Sequence, residues 1–200
     1  MYVIKASGKK EEFNSGKIYN TVMRAGASKA LANEIVKEVG SRVYEGMRTR
    51  DILDITLGIL RRKKPNVSMI YDLKRAIMNL GPTGFVFERF FAEILRNYGY
   101  KTETGQVLKG NFTTHEVDIV AKNKSTYMIE CKYNNSPGIY TNLKVALYVY
   151  ARFLDLRKMF DYPWLATNTK CSDKAIRYAK GVGMKVTSWQ YPQNESLQDL

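Results

Sequence analysis

Apolar residues recur every three or four positions through most of the first 80 residues, and after residue 100 they alternate with polar ones. Ile18, Val22 and Met23 make one face of a helix over 16–24, which Asn14 or Ser15 can cap. Leu31, Ile35, Val36 and Val39 form a second stripe that stops at Gly40. Ile52, Ile55 and Ile59 form a third, with Thr49 as the expected N-cap and Asp51 in the first turn, where a carboxylate suits the helix dipole. Arg61-Arg62-Lys63-Lys64 closes that helix before Pro65, and the run reads as dipole complementation and solvation. A last helix is expected over 67–80, and the whole segment opens with a β-prone run, Tyr2-Val3-Ile4-Lys5, ended by Ser7-Gly8.

Leu80-Gly81-Pro82-Thr83-Gly84 breaks this pattern, giving expected domains over 1–81 and 82–200. Thr83 then starts a helix with Phe85, Val86, Phe90, Ile94 and Leu95 available to a core, ending at Tyr98-Gly99-Tyr100. Strands follow at about 100–107, 112–121 and 126–133, then a long helix over 141–160. Pro163-Trp164-Leu165-Ala166-Thr167 reads as a strand, 172–180 as a short helix and 184–189 as a final strand. An α-rich domain followed by α-β-β-β-α-β-α-β implies an α/β (α+β) protein whose second domain is a mixed sheet with helices packed on it.

At 200 residues, 44% hydrophobic and 26% charged, the chain can bury a core and is not compositionally disordered. No apolar run approaches the ~20 residues of a membrane helix. The first ten residues lack a signal-peptide layout, so a cytoplasmic protein with no membrane partner is expected. Two cysteines exclude a four-cysteine zinc site, one histidine excludes chemistry needing several imidazoles, and no G-x-S-x-G elbow is present. The net charge of +13, from 32 Lys+Arg against 19 Asp+Glu, favours a polyanionic partner. Both halves are basic, with 16 basic and 8 acidic residues in 1–80 against 16 and 11 afterwards.

The chemistry concentrates in two neighbouring strands. Glu116-Val117-Asp118-Ile119-Val120 and Tyr127-Met128-Ile129-Glu130-Cys131-Lys132 flank a turn at Asn123-Lys124-Ser125. Alternation puts Glu130 and Lys132 on one face and Val117, Ile119, Ile129 and Cys131 on the other. If the polar faces match, Asp118 joins Glu130 and Lys132. Two carboxylates suit Mg²⁺, and an ammonium stabilises charge on a phosphate or orients a water. The same residues also suit a solvated face with cross-strand ion pairs. Glu116 falls on the Asp118 face as an exposed strand carboxylate, His115 on the other as a structural residue, and Cys131 packs as a small hydrophobe.

Asp118, twelve residues, then Glu130-Cys131-Lys132 resembles the D…(D/E)-x-K signature of the PD-(D/E)xK nucleases, and the restriction endonucleases of the Mrr type most of all. The resemblance runs from about residue 84 to 189. Gly84-Phe85-Val86-Phe87-Glu88 resembles the family's first helix, and Trp164-Leu165-Ala166-Thr167-Asn168-Thr169 with Ser172-Asp173-Lys174-Ala175 its later strand and helix. It implies Asp118 and Glu130 as ligands of Mg²⁺ or Mn²⁺, Lys132 as the catalytic lysine and Glu88 as an auxiliary acid. It further implies a metal-dependent endodeoxyribonuclease acting on DNA, with a homodimer as the assembly that cuts both strands. The hairpin strands also resemble archaeal Holliday-junction resolvases, while the segment from Trp164 onward is closer to the Mrr type.

In the first domain, a strand turns at Gly8 and re-enters a helix near Asn14, with Lys17 in its first turn. A helix N-terminus with nearby lysines favours a phosphate, and equally suits a capped surface helix. Residues 1 to about 80 resemble the ATP-cone domain, whose pattern Val-x-Lys-Arg-x-Gly…Phe-(Asp/Asn)-x-x-(Lys/Arg)-Ile is matched by Val3, Lys5, Gly8, Phe13, Asn14, Lys17 and Ile18. Tyr44-Glu45-Gly46-Met47-Arg48-Thr49 and Ile52 resemble its middle segment. The resemblance implies nucleotide contacts at Lys5, Glu11, Asn14, Lys17 and Thr49, with ATP or dATP as effector; Ala6 stands where the family has arginine. A non-catalytic nucleotide-responsive DNA-binding regulator is the remaining reading, although its usual four-cysteine ribbon is ruled out by two cysteines.

Overall fold

A computed structural model describes residues 1–78, 84–136 and 138–200. The chain divides into two units, Met1–Ala76 and Ile77–Leu200. The expected boundary at 81/82 and the helix start at Thr83 lie outside the described residues.

In the first unit, β1 (Tyr2–Ile4) pairs antiparallel with β2 (Lys10–Glu12), Val3 facing Glu11. The helices are α1 (Ser15–Arg24), α2 (Lys29–Gly40), α3 (Thr49–Lys63) and α4 (Pro65–Tyr71). Asn14 caps α1 by accepting from the Gly16 N–H at 2.9 Å, and Ser28 caps α2 through Leu31. The stripes converge on a core of Val3, Ile18, Val22, Ile35, Val39, Ile59 and Leu60. Arg61, Arg62 and Lys63 end α3 as expected, and pair with Asp72, Glu38 and Glu34. Three expectations need correction. The turn after Gly8 leads into β2 before the helix. Arg48, not Thr49, is the N-cap of α3, because the Ile4 N–H binds the Met47 carbonyl and holds residue 48 extended beside β1. The helix expected over 67–80 is two, α4 and α5 (Leu73–Met78), interrupted at Asp72.

In the second unit, α6 (Phe85–Asn97) precedes a five-stranded sheet of β3 (Lys101–Lys109), β4 (Thr114–Lys122), β5 (Thr126–Lys132), β7 (Tyr162–Thr167) and β9 (Lys185–Thr187), in that order. The first two junctions are antiparallel hairpins. The last two are parallel, because α7 (Leu143–Leu156) and α8 (Asp173–Gly181) return the chain to the same end of the sheet. β6 (Tyr140–Thr141) and β8 (Lys170–Cys171), unforeseen from the sequence, form a separate parallel pair. Val117, Met128, Ala146, Val149, Leu156 and Leu165 share one core cluster. Phe87 and Phe91 are fully buried, and Phe91 meets Trp164 edge-on at 5.8 Å. Each is worth roughly 1.5–3 kcal/mol of burial. Phe85 and Val86, expected inward, face solvent; the stripe of α6 is Phe87, Phe91, Ala92 and Leu95. The expected long helix is trimmed to α7, and the final strand to β9. Among the described residues no helix is long and apolar enough to cross a membrane.

Candidate active site

The paired register of β4 and β5 ends with Ile119 opposite Ile129. One rung further the same register sets Asp118 opposite Glu130, and directly opposed residues share a face of the sheet. The backbone ladder does not continue there. The Asp118 carboxylate turns into the opening and accepts the Cys131 N–H at 2.7 Å. The strands part at the point where the two acids meet, so an Asp118 side-chain oxygen takes a backbone N–H of β5. Lys132 ends β5, exposed, with no hydrogen bond or ion pair among the described residues, and its charge is felt at Glu130. Glu88 lies in the first turn of α6.

Electrostatics bind these residues into one cluster. Burial, then the Asp118 charge, pushes Glu130 up to about 7 against the opposing pull of Arg152 and Lys132. Burial, then Asp118, Glu116 and Glu130, pushes Glu88 to about 7. Asp118 is raised by burial and by Glu116, against the Cys131 N–H and Arg152. Carboxylates outnumber the cations within reach, and their charges are poorly solvated.

Arg152, which the sequence reading missed, projects from α7, almost fully buried, to the Glu130 carboxylate and the Glu116 carbonyl. Its ring contact is Tyr148, 5.2 Å from the guanidinium carbon. An arginine at an inward position of the stripe Val149, Arg152, Phe153, Leu156 was the available signal. His115 is structural in the expected sense: its Nε2 lies 2.8 Å from Asp155 of α7. Glu116 is exposed, and Cys131 is buried with its thiol pushed well up by burial, so it is no nucleophile at neutral pH.

Beyond Lys132, β5 leaves the sheet through a polar network. The Asn134 N–H binds the Asn168 side chain at 2.8 Å, and the Asn168 amide returns a bond of 2.8 Å to the Asn134 carbonyl. Asn134 also donates to Thr169 at 2.9 Å. The network fixes the backbone that carries the lysine.

Among the described residues no group of three or more His, Cys, Asp or Glu is gathered to hold a metal. The donor set nevertheless fits Mg²⁺, which takes hard oxygen ligands, is commonly held by one or two carboxylates and keeps several waters. Asp118 and Glu130 supply two carboxylates in a site short of positive charge.

In the first unit, Glu11 pairs with Lys5 at 2.7 Å and with Lys17. Those lysines hold its carboxyl below the usual range, through hydrogen bonds first from Lys17 and then from Lys5. An open cavity of about 460 Å³ is lined by Glu11, Glu12, Phe13, Asn14, Ser15 and Lys17. Thr49, at the start of α3, is not part of that lining.

Residues 81–193 match the restriction endonuclease family in its Mrr catalytic form, and residues 1–72 match the ATP cone domain. The chain belongs to the restriction endonuclease family. Its nuclease domain follows an ATP cone domain in one polypeptide. An uncharacterized protein of Archaeoglobus fulgidus is 47% identical over 111 residues, covering 54% of this chain. The chain spans 63% of that relative's length. The crystal structure of a protein of unknown function, AF1548, superposes with a TM-score of 0.57 at 42% identity, over 58% of this chain and 64% of that one.

Proposed function

We propose that the restriction endonuclease domain hydrolyses phosphodiester bonds of DNA with Mg²⁺ or Mn²⁺, and that ATP or dATP bound by the ATP cone tunes that activity or the assembly of the enzyme. The observation that carries the first part is the parting of β4 and β5 at Asp118 and Glu130, with Lys132 one step along the same face. Asp118 and Glu130 would hold the ion. When bound, it acidifies a water and offsets charge on the phosphate. Arg152 binds the Glu130 carboxylate and holds it in place at the site. Lys132 brings its ammonium to the phosphate, stabilises charge developing on the oxygens and orients the attacking water. Glu88, raised by burial and then by the neighbouring carboxylates, is the auxiliary acid of the site. Cutting both strands of a duplex with one site per chain calls for two copies, so the working form is a homodimer.

For the second part, Lys5, Asn14 and Lys17 sit around the N-terminus of α1 and Thr49 at the start of α3, and the cavity beside α1 has a volume common for small-ligand sites. Phosphates compete with Glu11 for the two lysines, and Ala6 withdraws one arginine contact.

Plasmid nicking tests the nuclease. The parent chain cuts with Mg²⁺ and not with EDTA, while Lys132→Ala loses on the order of 10²- to 10³-fold in rate and keeps its DNA affinity. Parallel arms with linear, methylated and four-way-junction DNA rank the substrates. A Lys132→Ala chain that cuts like the parent removes the lysine from the chemistry. Equilibrium dialysis with no uptake of ATP or dATP at millimolar concentration overturns the effector and leaves the nuclease standing.

A further inference from the structure

The β3–β4 hairpin ends in four residues, Gly110, Asn111, Phe112 and Thr113, that are held far more firmly than a solvent loop requires. Asp155 of α7, only 9% exposed, is devoted to them. Its Oδ1 accepts the Phe112 N–H at 2.8 Å, and its Oδ2 accepts the Thr113 N–H at 3.2 Å and meets His115 Nε2 at 2.8 Å. Its carbonyl accepts both the backbone N–H and the side-chain amide of Asn111, at 3.1 and 2.8 Å. Gly110 closes the turn on the Thr113 carbonyl at 2.7 Å. A Cβ at Gly110 would lie 2.2 Å from Asp155 Oδ2, so only glycine lets the carboxylate in. Burying a carboxylate is expensive, and this one is satisfied entirely by bonds to the tip and to His115.

What the frame presents is Phe112, 93% exposed. Single exposed apolar residues are ordinary on protein surfaces. Here the buried Asp155 fixes the backbone from which the ring projects, so the exposed place of Phe112 is set by the fold. Lys109, Arg157 and Lys158 surround the tip in sequence and on the end of α7; all three are exposed, with no ion pair among the described residues. Arg152, which holds Glu130, lies three residues before Asp155, about 5 Å along the helix axis. The frame of the tip and the acid pair therefore hang on one turn of α7. Along β4 the tip is about 20 Å from Asp118, little more than half a turn of B-DNA.

We infer that Phe112 is a wedge that enters a base step of duplex DNA while the backbone lies across Asp118 and Glu130. This rests on the nuclease reading and adds a contact to it: an aromatic face for stacking, flanked by cations for the adjoining phosphates. Asp155 and His115 act as positioning residues for the ring, since neither faces the base.

The test uses the full chain and duplexes of about 30 base pairs carrying 2-aminopurine, with EDTA present so that no cleavage intervenes. Parent chain raises the fluorescence, because an unstacked 2-aminopurine brightens. Phe112→Ala loses that rise and binds on the order of 10- to 100-fold more weakly, the loss of about one stacked base, with an unchanged salt slope since no phosphate contact is removed. Phe112→Trp restores both. Gly110→Ala keeps the ring, breaks its frame and also loses the rise. Circular dichroism and a thermal melt of Phe112→Ala match the parent, the side chain being outside the fold. If Phe112→Ala binds and unstacks like the parent, or the parent binds without unstacking, the wedge is wrong and the nuclease stands. A parent chain that does not bind these duplexes, and does not cut duplex DNA when Mg²⁺ replaces EDTA, overturns both.

Discussion

Two clusters of acids and bases in this chain look alike in the sequence and behave oppositely in the structure. In the first unit Glu11 lies between Lys5 and Lys17, near the surface, and its carboxyl is held below its ordinary value. In the second, Asp118, Glu130 and Glu88 crowd a partly buried place served by Arg152 and Lys132, and all three carboxyls are raised. The first cluster is neutralised from within. The second is short of positive charge, which a divalent ion held by hard carboxylate oxygens would supply. Ion pairs are therefore poor guides to function until charge and burial are counted together.

The comparison breaks first on activity. Asp118→Asn should reduce cleavage by at least on the order of 10²-fold, whereas Glu11→Gln, measured without nucleotide, should leave the rate unchanged. Equal losses would mean that the two clusters share a role.

The next effect is on stability. Arg152→Leu strips the buried partner from Glu130 and should cost about 3 kcal/mol in urea unfolding of the metal-free chain. Adding Glu130→Gln should recover much of that, because the orphaned charge goes with it. A double variant as unstable as the single one would show that Arg152 acts through packing.

The pH responses should run in opposite directions. Glu130 and Glu88 bind protons more tightly in the fold, near 7, than the ordinary 4.5 of an unfolded chain. Their contribution is whole below about 4.5 and is lost as pH rises through about 7. Glu11 is lowered in the fold, so its contribution is present above 4.5 and is lost as pH falls through its lowered value. Hydrogen exchange of the metal-free chain at pH 5 and 8 should show the second unit opening more easily at the higher pH and the first unit unchanged. Mg²⁺ should close the difference at pH 8. The smallest effect is Glu11→Gln on melting temperature, which should be barely measurable, since exposed ion pairs contribute little.

Much of the candidate site was legible because it is local. Alternation over Glu116–Val120 and Tyr127–Lys132 puts Glu130 and Lys132 on one face, with Asp118 joining them if the polar faces match, and the pairing of Ile119 with Ile129 sets Asp118 opposite Glu130. Periodicity likewise recovered α1, α2 and α3 to within a residue or two. The misses are tertiary. β2 exists because Lys10–Glu12 finds β1, a pairing its own three residues do not announce. Phe85 and Val86 were placed inside on the strength of being apolar, while the actual stripe of α6 begins at Phe87. Arg152 and Asp155 lie 22 and 40 residues from Glu130 and His115, and only packing of α7 reveals that its two buried charged residues hold Glu130 of β5 and the β3–β4 tip.

The direct test of the central claim is a Mn²⁺ titration of the full chain at pH 8, with free ion read by electron paramagnetic resonance. The parent should take up the ion, and Asp118→Asn and Glu130→Gln should each release it, while Glu11→Gln binds like the parent. Equal uptake by parent, Asp118→Asn and Glu130→Gln would contradict the assignment of those two carboxylates, and with it the nuclease mechanism built on them.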